Sequence, residues 1–530
     1  MKSRFLLALL LAAVTSPVFA LDGTIGIHDP STVIQSNGKW FTWGTGGGGL
    51  VSNDGWTWAA GTRGGVSGMA PDCIKVGDNY FMFASDNNGG QPHSHINLAT
   101  TKSLDPSSPD YKWEVVGEVN STDGIEDCNG IDPGAFYDTK TNKLWLTFGS
   151  YFGYIRIVEL DPKTGKRIDP TKFTNLSINM EASDMIEHDG WYYLFGTRGS
   201  CCRGADSGYN IRVGRSKSPT GPFVDDQDVP LIKGGGKLMC ASSGRWIGPG
   251  HFGLIDCGDG VQKFSMHYEA DLDRGGASVL DIRPLLWKDG WPVAGDNVKD
   301  GNYEIESART GTALELAVQG QPVGGGGRGG GGRGGGAGAP GGRGGRGGRG
   351  GAPGGAPAGP GAMGPARIDN LIPVAAPGRG GGGGGGGRGG GGAPVPAQEA
   401  AAVAQTWPTG AVDIRLANYM LQAQQKWTIA PAPNAGGYLG SPYFKITITG
   451  TERALAANDA GDLVAVPAFT GAPEQLWQID QLPDGTYRIM PKEVPGSKDR
   501  VALSAIGNSA VVLSKFDPAS LKQRWNLKTP

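Results

Sequence analysis

The sequence predicts an all-β protein: a five-bladed β-propeller followed by a second region built from a threefold repeat of small β units. Three observations carry this. Aromatic strand-like runs such as "KWFTWGT", "NYFMFAS", "KLWLTFGS", "GWYYLFGT" and "KFSMHYEA" follow turn signals "SNGK", "VGDN", "KTNK" and "EHDG". That unit recurs at a period of about fifty residues, which fits one sheet per repeat and about five sheets in the first half of the chain. The third observation is a Gln-x-Trp triplet that occurs three times downstream, ending at Trp427, Trp477 and Trp525. Amphipathic helical periodicity is hard to find. A β-sandwich would explain the strands but not the recurrence.

The chain has 530 residues, too many for one core, and its formal net charge is −2. A near-neutral balance gives no reason to expect a nucleic acid partner. Residues 1–20 read as a signal peptide. Lys2 and Arg4 precede the short apolar run "FLLALLLAAV", and "VFA" ends at Ala20. The run is too short to span a bilayer comfortably. No cysteine follows the cleavage point, so a lipid anchor is not expected. The mature chain is expected to be secreted or periplasmic, with no membrane attachment after cleavage.

Residues 21–298 are expected to form the propeller. All six cysteines, Cys73, Cys128, Cys201, Cys202, Cys240 and Cys257, lie within it. An even number in an exported chain suggests disulfides, and the spacing does not fix their pairing. The neighbours Cys201 and Cys202 can pair with each other in a strained ring. No CxxC pair supports a zinc site.

Residues 299–530 carry the triplets. A tyrosine precedes each unit (Tyr303, Tyr443, Tyr487), and a leucine in an Ala/Leu-rich piece follows each (Leu314, Leu455, Leu503). The region resembles the ricin-type β-trefoil with its QxW motif. Each short unit buries one tryptophan in a shared core that none can close alone. The first unit is swollen by a segment over 320–400 rich in "GGGGRGGGGRGGG" and "APGGAPAGPGA". Glycine at that density buries too little apolar surface to offset chain entropy, so a disordered, solvated insertion is expected. A long loop adds little closure cost.

Three acids stand in special local sequence. Asp29 lies in "IHDPS", Asp132 in "CNGIDPGAFYD" and Glu181 in "INMEASDMIEHDGWYYLFG". Each precedes a strand of a different sheet repeat, and in a propeller equivalent strand entrances converge on the central axis. A residue before proline is pushed away from helical geometry, so Asp29 and Asp132 are expected in extended backbone. Asp-Pro is also a common turn dipeptide. Three acids at equivalent places fit better a carboxylate set of the kind that hydrolyses a glycosidic bond, in which one group protonates the leaving oxygen and another activates water.

The combination "HDPS", "NGIDP", "EAS", "CCRGADSGYNIRVGRSKSPTGPF" and "GPGH" resembles glycoside hydrolase family 43, and within it the secreted endo-arabinanases. The resemblance implies a five-bladed propeller and an inverting reaction. It implies that Asp29 is the general base, Glu181 the general acid, and Asp132 the group that raises the acid's pKa and orients it. It further implies that His251 in "WIGPGHFG" helps hold a calcium ion in the central channel through a mostly water shell; no organic cofactor is expected. His28, Asn129, Ser150 and Tyr151 flank the acids and are expected sugar contacts. His93 and His95 are expected at the rim, and Trp287 and Trp291 in the core. "FSMHYEADLDRGG" and "FGTRGS" depart from the family pattern and are expected to line the groove.

The leading expectation is therefore an arabinan endo-1,5-α-L-arabinosidase acting on the arabinan side chains of plant cell-wall pectin. The alternatives are another family 43 activity (arabinofuranosidase, xylosidase or β-1,3-galactanase) and a non-catalytic carbohydrate-binding protein. Trefoil appendages often accompany the galactan-cutting branch, but that branch usually lacks the aspartate base, which is present here as Asp29. A lectin would have no need of all three acids.

Overall fold

The computed structural model describes residues 21–86, 93–318 and 407–530. The expected signal peptide and the Gly/Arg-rich insertion lie outside the described residues. Five antiparallel sheets follow one another along the chain. Their innermost strands are Ile34–Ser36, Met69–Val76, Gly134–Asp138, Glu181–His188 and Trp246–Asp256. Each continues outward through hairpins whose turns are the Asn, Asp and Gly signals seen in the sequence. The first sheet gains a short parallel strand, Asp22–Gly23, on its outer edge. The ring closes where the amide of Leu280 donates to Ile25 O at 2.9 Å and that of Ile27 donates to Ser278 O at 3.2 Å, joining the first blade to the last. This is the five-bladed propeller.

Faces between blades are apolar. Phe81, Phe83, Leu98, Leu144 and Leu146 pack between blades two and three. Ile155, Ile157, Leu194 and Phe223 pack between three and four. Phe41, Trp43 and Met82 join one to two. Each fully buried side chain of this size contributes roughly 1.5–3 kcal/mol. Trp291 is in the core, and Trp287 stacks on His188 with ring centroids 3.6 Å apart.

One backbone feature repeats around the ring. Asp29, Ala70, Asp132, Ala182 and His251 all have positive φ, between 42° and 56°. They stand at equivalent places, one per blade, and the ladders of blades two, four and five are bulged there. The extended geometry expected before proline is therefore corrected to left-handed φ for Asp29 and Asp132. Both stand ahead of their inner strands, Ile34–Ser36 and Gly134–Asp138, where a left-handed residue turns the chain as it enters the blade. Two residues further on, Asp72 accepts hydrogen bonds from Thr32 N (3.2 Å) and Ala135 N (2.9 Å), tying blades one, two and three together at the axis.

In the C-terminal region six strands close into a barrel: Gly301–Ser307, Trp427–Pro431, Phe444–Ile448, Trp477–Gln481, Tyr487–Pro491 and Trp525–Lys528. Three hairpins complete it, at 313–417, 454–466 and 501–515. The threefold repeat extends to single hydrogen bonds. The indoles of Trp427, Trp477 and Trp525 donate to the carbonyls of Leu314, Leu455 and Leu503 at 2.9, 3.0 and 2.9 Å. The glutamine of each triplet caps the preceding loop: Gln425, Gln475 and Gln523 accept from the amides of Met420, Thr470 and Asp517. The triplet thus supplies one buried anchor and one loop clamp per repeat.

The barrel docks on hairpin turns of blades one and five, at the ends of the blades away from the acids. Lys263 Nζ lies 3.1 Å from Asp480, both almost wholly buried, and also donates to Leu439 O. Arg488 and Arg500 reach Asp259 at 3.1 and 2.7 Å, and Trp287 N donates to Pro483 O at 2.8 Å. Removing one partner of a buried ion pair leaves an uncompensated charge. Asp480→Ala is expected to lower unfolding stability by about 3–5 kcal/mol, read by urea denaturation; a change within about 0.5 kcal/mol would show that the pair does not hold the two regions together.

Candidate active site

The positive-φ positions bring the sequence-predicted acids to one end of the channel. Asp29 enters from blade one, Asp132 from blade three and Glu181 from blade four, and His251 joins them from blade five. Asp29 is clamped on both oxygens. Oδ2 accepts from Thr45 Oγ1 at 2.6 Å and lies 2.8 Å from His28 Nδ1; Oδ1 lies 3.2 Å from His251 Nδ1. Asp132 Oδ2 accepts from Ala182 N at 3.1 Å, which fixes it against the residue that follows Glu181. Glu181 Oε1 accepts from the hydroxyl of Tyr209.

These environments push the three carboxyls apart. Burial raises Asp29, but the charge and hydrogen bonds of His251 and His28 outweigh it and hold Asp29 well below the usual carboxylate range. Burial, then the charge of Asp132, pushes Glu181 up to about 8. Asp132 is pushed up to about 6, chiefly by burial, with Asp29 adding to the shift and His251 opposing it. Burial lowers His28, yet its bonds to Asp29 and Glu269 carry it up to about 10. His251 is likewise raised against its burial by Asp29. At neutral pH the site therefore holds an ionised Asp29, a protonated Glu181 and a cationic His28. That is the split of roles a general base and a general acid need.

The other expected residues divide. His28 belongs to the site as a partner of Asp29. Tyr151 stands at the mouth, 41% exposed, its hydroxyl donating to Thr197 O at 3.0 Å. Its hydroxyl is raised by burial and then by the charge of Glu181. Asn129 and Ser150, expected as sugar contacts, are instead fully buried, and Ser150 Oγ donates to Asn129 Oδ1 at 3.0 Å. They underlie the loop that presents Tyr151, and Asn129 Nδ2 is buried there without a hydrogen-bond partner among the described residues. His95 sits at the rim between Asp86 (3.0 Å) and Asp123 (3.2 Å).

Residues not singled out from sequence complete the site. Tyr209, Thr45 and Thr197 each hold a functional group. Glu269 accepts from His28 Nε2 at 3.0 Å, from Cys202 N at 2.9 Å, and lies 3.4 Å from His267 Nε2. The two departures, "FGTRGS" with its cysteines and "FSMHYEADLDRGG", thus meet at the site. The His-x-Glu spacing was the available signal, since residues two apart on a strand share a face. Cys201 and Cys202 are disulfide-bonded to each other, and the other four cysteines are free.

His251 was expected to hold calcium. Its ring and that of His267 gather with Asp29. Calcium takes six to eight oxygens, and this set offers one carboxylate, already engaged by Thr45, His28 and His251. These side chains cannot form a calcium cage by themselves, so an ion here would take most of its shell from water, as expected of His251, and no step below runs through a metal.

Residues 32–292 match the model of the glycosyl hydrolases family 43. Over 311 residues the chain is 30% identical to the extracellular exo-α-(1→5)-L-arabinofuranosidase ArbA of Cellvibrio japonicus, covering 52% of this chain and 88% of that protein. It is 28% identical over 294 residues to the extracellular endo-α-(1→5)-L-arabinanase 1 of Bacillus subtilis, covering 50% of this chain and 87% of that one. A solved family 43 endo-arabinanase from Bacillus licheniformis aligns over 52% of this chain and 99% of its own, at 31% identity and a TM-score of 0.47. The chain belongs to glycosyl hydrolases family 43, and the protein is a glycoside hydrolase.

The pH profile follows from these environments. The acid must be protonated, so kcat/KM is expected to fall as pH rises through about 8, the value to which Glu181 is pushed. Asp132 raises Glu181 and the Tyr209 hydroxyl lowers it. Asp132→Asn is therefore expected to move the alkaline limb to lower pH and Tyr209→Phe to move it to higher pH. Shifts in the same direction, or no shift in either, would contradict the assignment.

Proposed function

We propose that the protein is an exported hydrolase of α-1,5-linked L-arabinan, the side-chain polymer of pectin, and that it works with inversion. Asp29 takes a proton from water as the water attacks the anomeric carbon. Glu181 gives its proton to the departing glycosidic oxygen. Asp132 keeps Glu181 protonated at neutral pH by placing a carboxylate beside it and holds the backbone next to it. The observation that carries this reading is the gathering of Asp29, Asp132 and Glu181 at one end of the propeller channel, with two imidazoles against Asp29 and the Tyr209 hydroxyl against Glu181. The named activities of the similar extracellular proteins support arabinan as substrate. Export is supported by the same names; among the described residues no helix is long and apolar enough to cross a membrane.

The closed barrel with three hairpins and three buried tryptophans supports reading the C-terminal region as a ricin-type β-trefoil. Docked at the far ends of the blades, it does not line the acid cluster, so it would hold polysaccharide near the enzyme rather than extend the cleft.

Purified protein is to be incubated with linear arabinan, galactan and xylan and the products separated by chromatography. Arabinan alone is expected to be cut, a ladder of oligomers reporting internal cleavage and a single small product reporting cleavage from an end. Asp29→Ala and Glu181→Ala are each expected to lose at least about 10²–10⁴-fold in kcat while keeping the wild-type circular dichroism spectrum. Near-normal turnover in either variant would remove the role assigned to that residue.

A further inference from the structure

The hydrolytic reading uses Asp29 but not the chain of contacts behind it. Asp29 Oδ2 meets His28 Nδ1 at 2.8 Å, and His28 Nε2 meets Glu269 Oε1 at 3.0 Å. The other oxygen of Glu269 accepts from Cys202 N at 2.9 Å. Glu269 side-chain exposure is only 2%, so it is a fixed bridge rather than a surface acid. Cys202 has a φ of 62°, a left-handed conformation uncommon for a residue other than glycine. Such backbone persists where its surroundings impose it. Here the bond between Cys201 and Cys202 closes a small ring over that peptide and supplies the constraint. The result aims the Cys202 amide at Glu269.

We propose that the Cys201–Cys202 disulfide and Glu269 are positioning elements that hold His28, and through it the Asp29 carboxylate, in the orientation needed to accept a proton from water, so that the state of this one disulfide sets the rate of turnover. The proposal rests on reading Asp29 as the base. None of the three residues touches the reacting atoms. Their effect therefore belongs in kcat and not in substrate affinity.

The remaining cysteines, Cys73, Cys128, Cys240 and Cys257, are free, so a reductant has a single disulfide to act on. With dithiothreitol the Cys201–Cys202 S–S bond breaks and each sulfur takes up a proton, while the two thiols of the reagent are oxidised to its cyclic disulfide. The ring over the peptide opens, Cys202 is free to leave left-handed backbone, and its N–H leaves Glu269.

The test measures kcat and KM on linear arabinan with and without dithiothreitol, for the full-length protein, for Glu269→Ala and for the double variant Cys201→Ala/Cys202→Ala. Mass spectrometry confirms reduction. In the wild type the reductant is expected to lower kcat by about tenfold or more, as small misplacements of a reacting group do, with KM within about twofold. The double variant is expected to match the reduced wild type and to ignore the reductant. Glu269→Ala is expected to be slowed to a similar level, with little further loss on reduction, because contacts in series are not additive. Full wild-type turnover after confirmed reduction overturns the proposal. So does an equal fold-loss on reduction in the wild type and in Glu269→Ala. The wild-type comparison needs no substitution and stands even if a variant fails to fold. A protein inactive on arabinan in both redox states would sink the hydrolase reading and this inference with it, whereas an active but reductant-indifferent enzyme sinks this inference alone.

Discussion

The structure turns on a backbone constraint: a left-handed φ on, or just ahead of, the inner strand of every blade. Five residues adopt it, and two of them, Ala70 and Ala182, are of a type that does not adopt it readily without reason. A regular strand would send its side chains alternately into the two neighbouring blade interfaces. The left-handed residue interrupts or precedes that alternation in every blade, as a ladder bulge in blades two, four and five, and directs a group at the axis. Asp29, Asp132 and His251 hold the position themselves. In blade four Ala182 holds it, and Glu181 beside it supplies the carboxylate. In blade two Ala70 holds it and adds no charge.

Convergence on one axis creates an electrostatic problem that the site solves asymmetrically. Three carboxyls share a buried space, and like charges resist ionising together. His28 and His251 both turn to Asp29, which therefore keeps its negative charge. Glu181 is hydrogen-bonded instead to the neutral hydroxyl of Tyr209, and the charge of His251 there does not offset burial and Asp132. Proton ownership is settled by which carboxyl the imidazoles face, and the reaction needs that settlement before substrate arrives.

Much of this was legible in the sequence. The recurring turn-and-aromatic pattern gave the number of blades, and Asp-Pro, Asp-Pro and Met-Glu-Ala at successive strand entrances gave the acids. The Gln-x-Trp triplets and the leucines after each tyrosine gave the threefold repeat, while the bonds from the indoles to those leucines' carbonyls came from the structure. What stayed hidden depends on contacts between distant segments. Nothing near Asn129 says that Ser150 will cover it. Glu269 stands far along the chain from His28, and only closure of the ring between blades five and one brings them together. The positive φ of Asp29 and Asp132 was hidden for a different reason: the local preference before proline points to extended backbone, and the turn of the chain into the blade overrides it. Cys201 and Cys202 showed their possible ring but not its neighbour.

Hydrolysis with these roles requires that at neutral pH Glu181 carries a proton while Asp29 does not. Infrared difference spectroscopy across a pH titration reads this directly, because protonated and ionised carboxyls absorb separately. A protonated carboxyl band that disappears only near pH 8, and that is missing from Glu181→Gln, is the predicted result. Loss of all protonated carboxyl absorption by about pH 5, close to the ordinary range of glutamate, would contradict it.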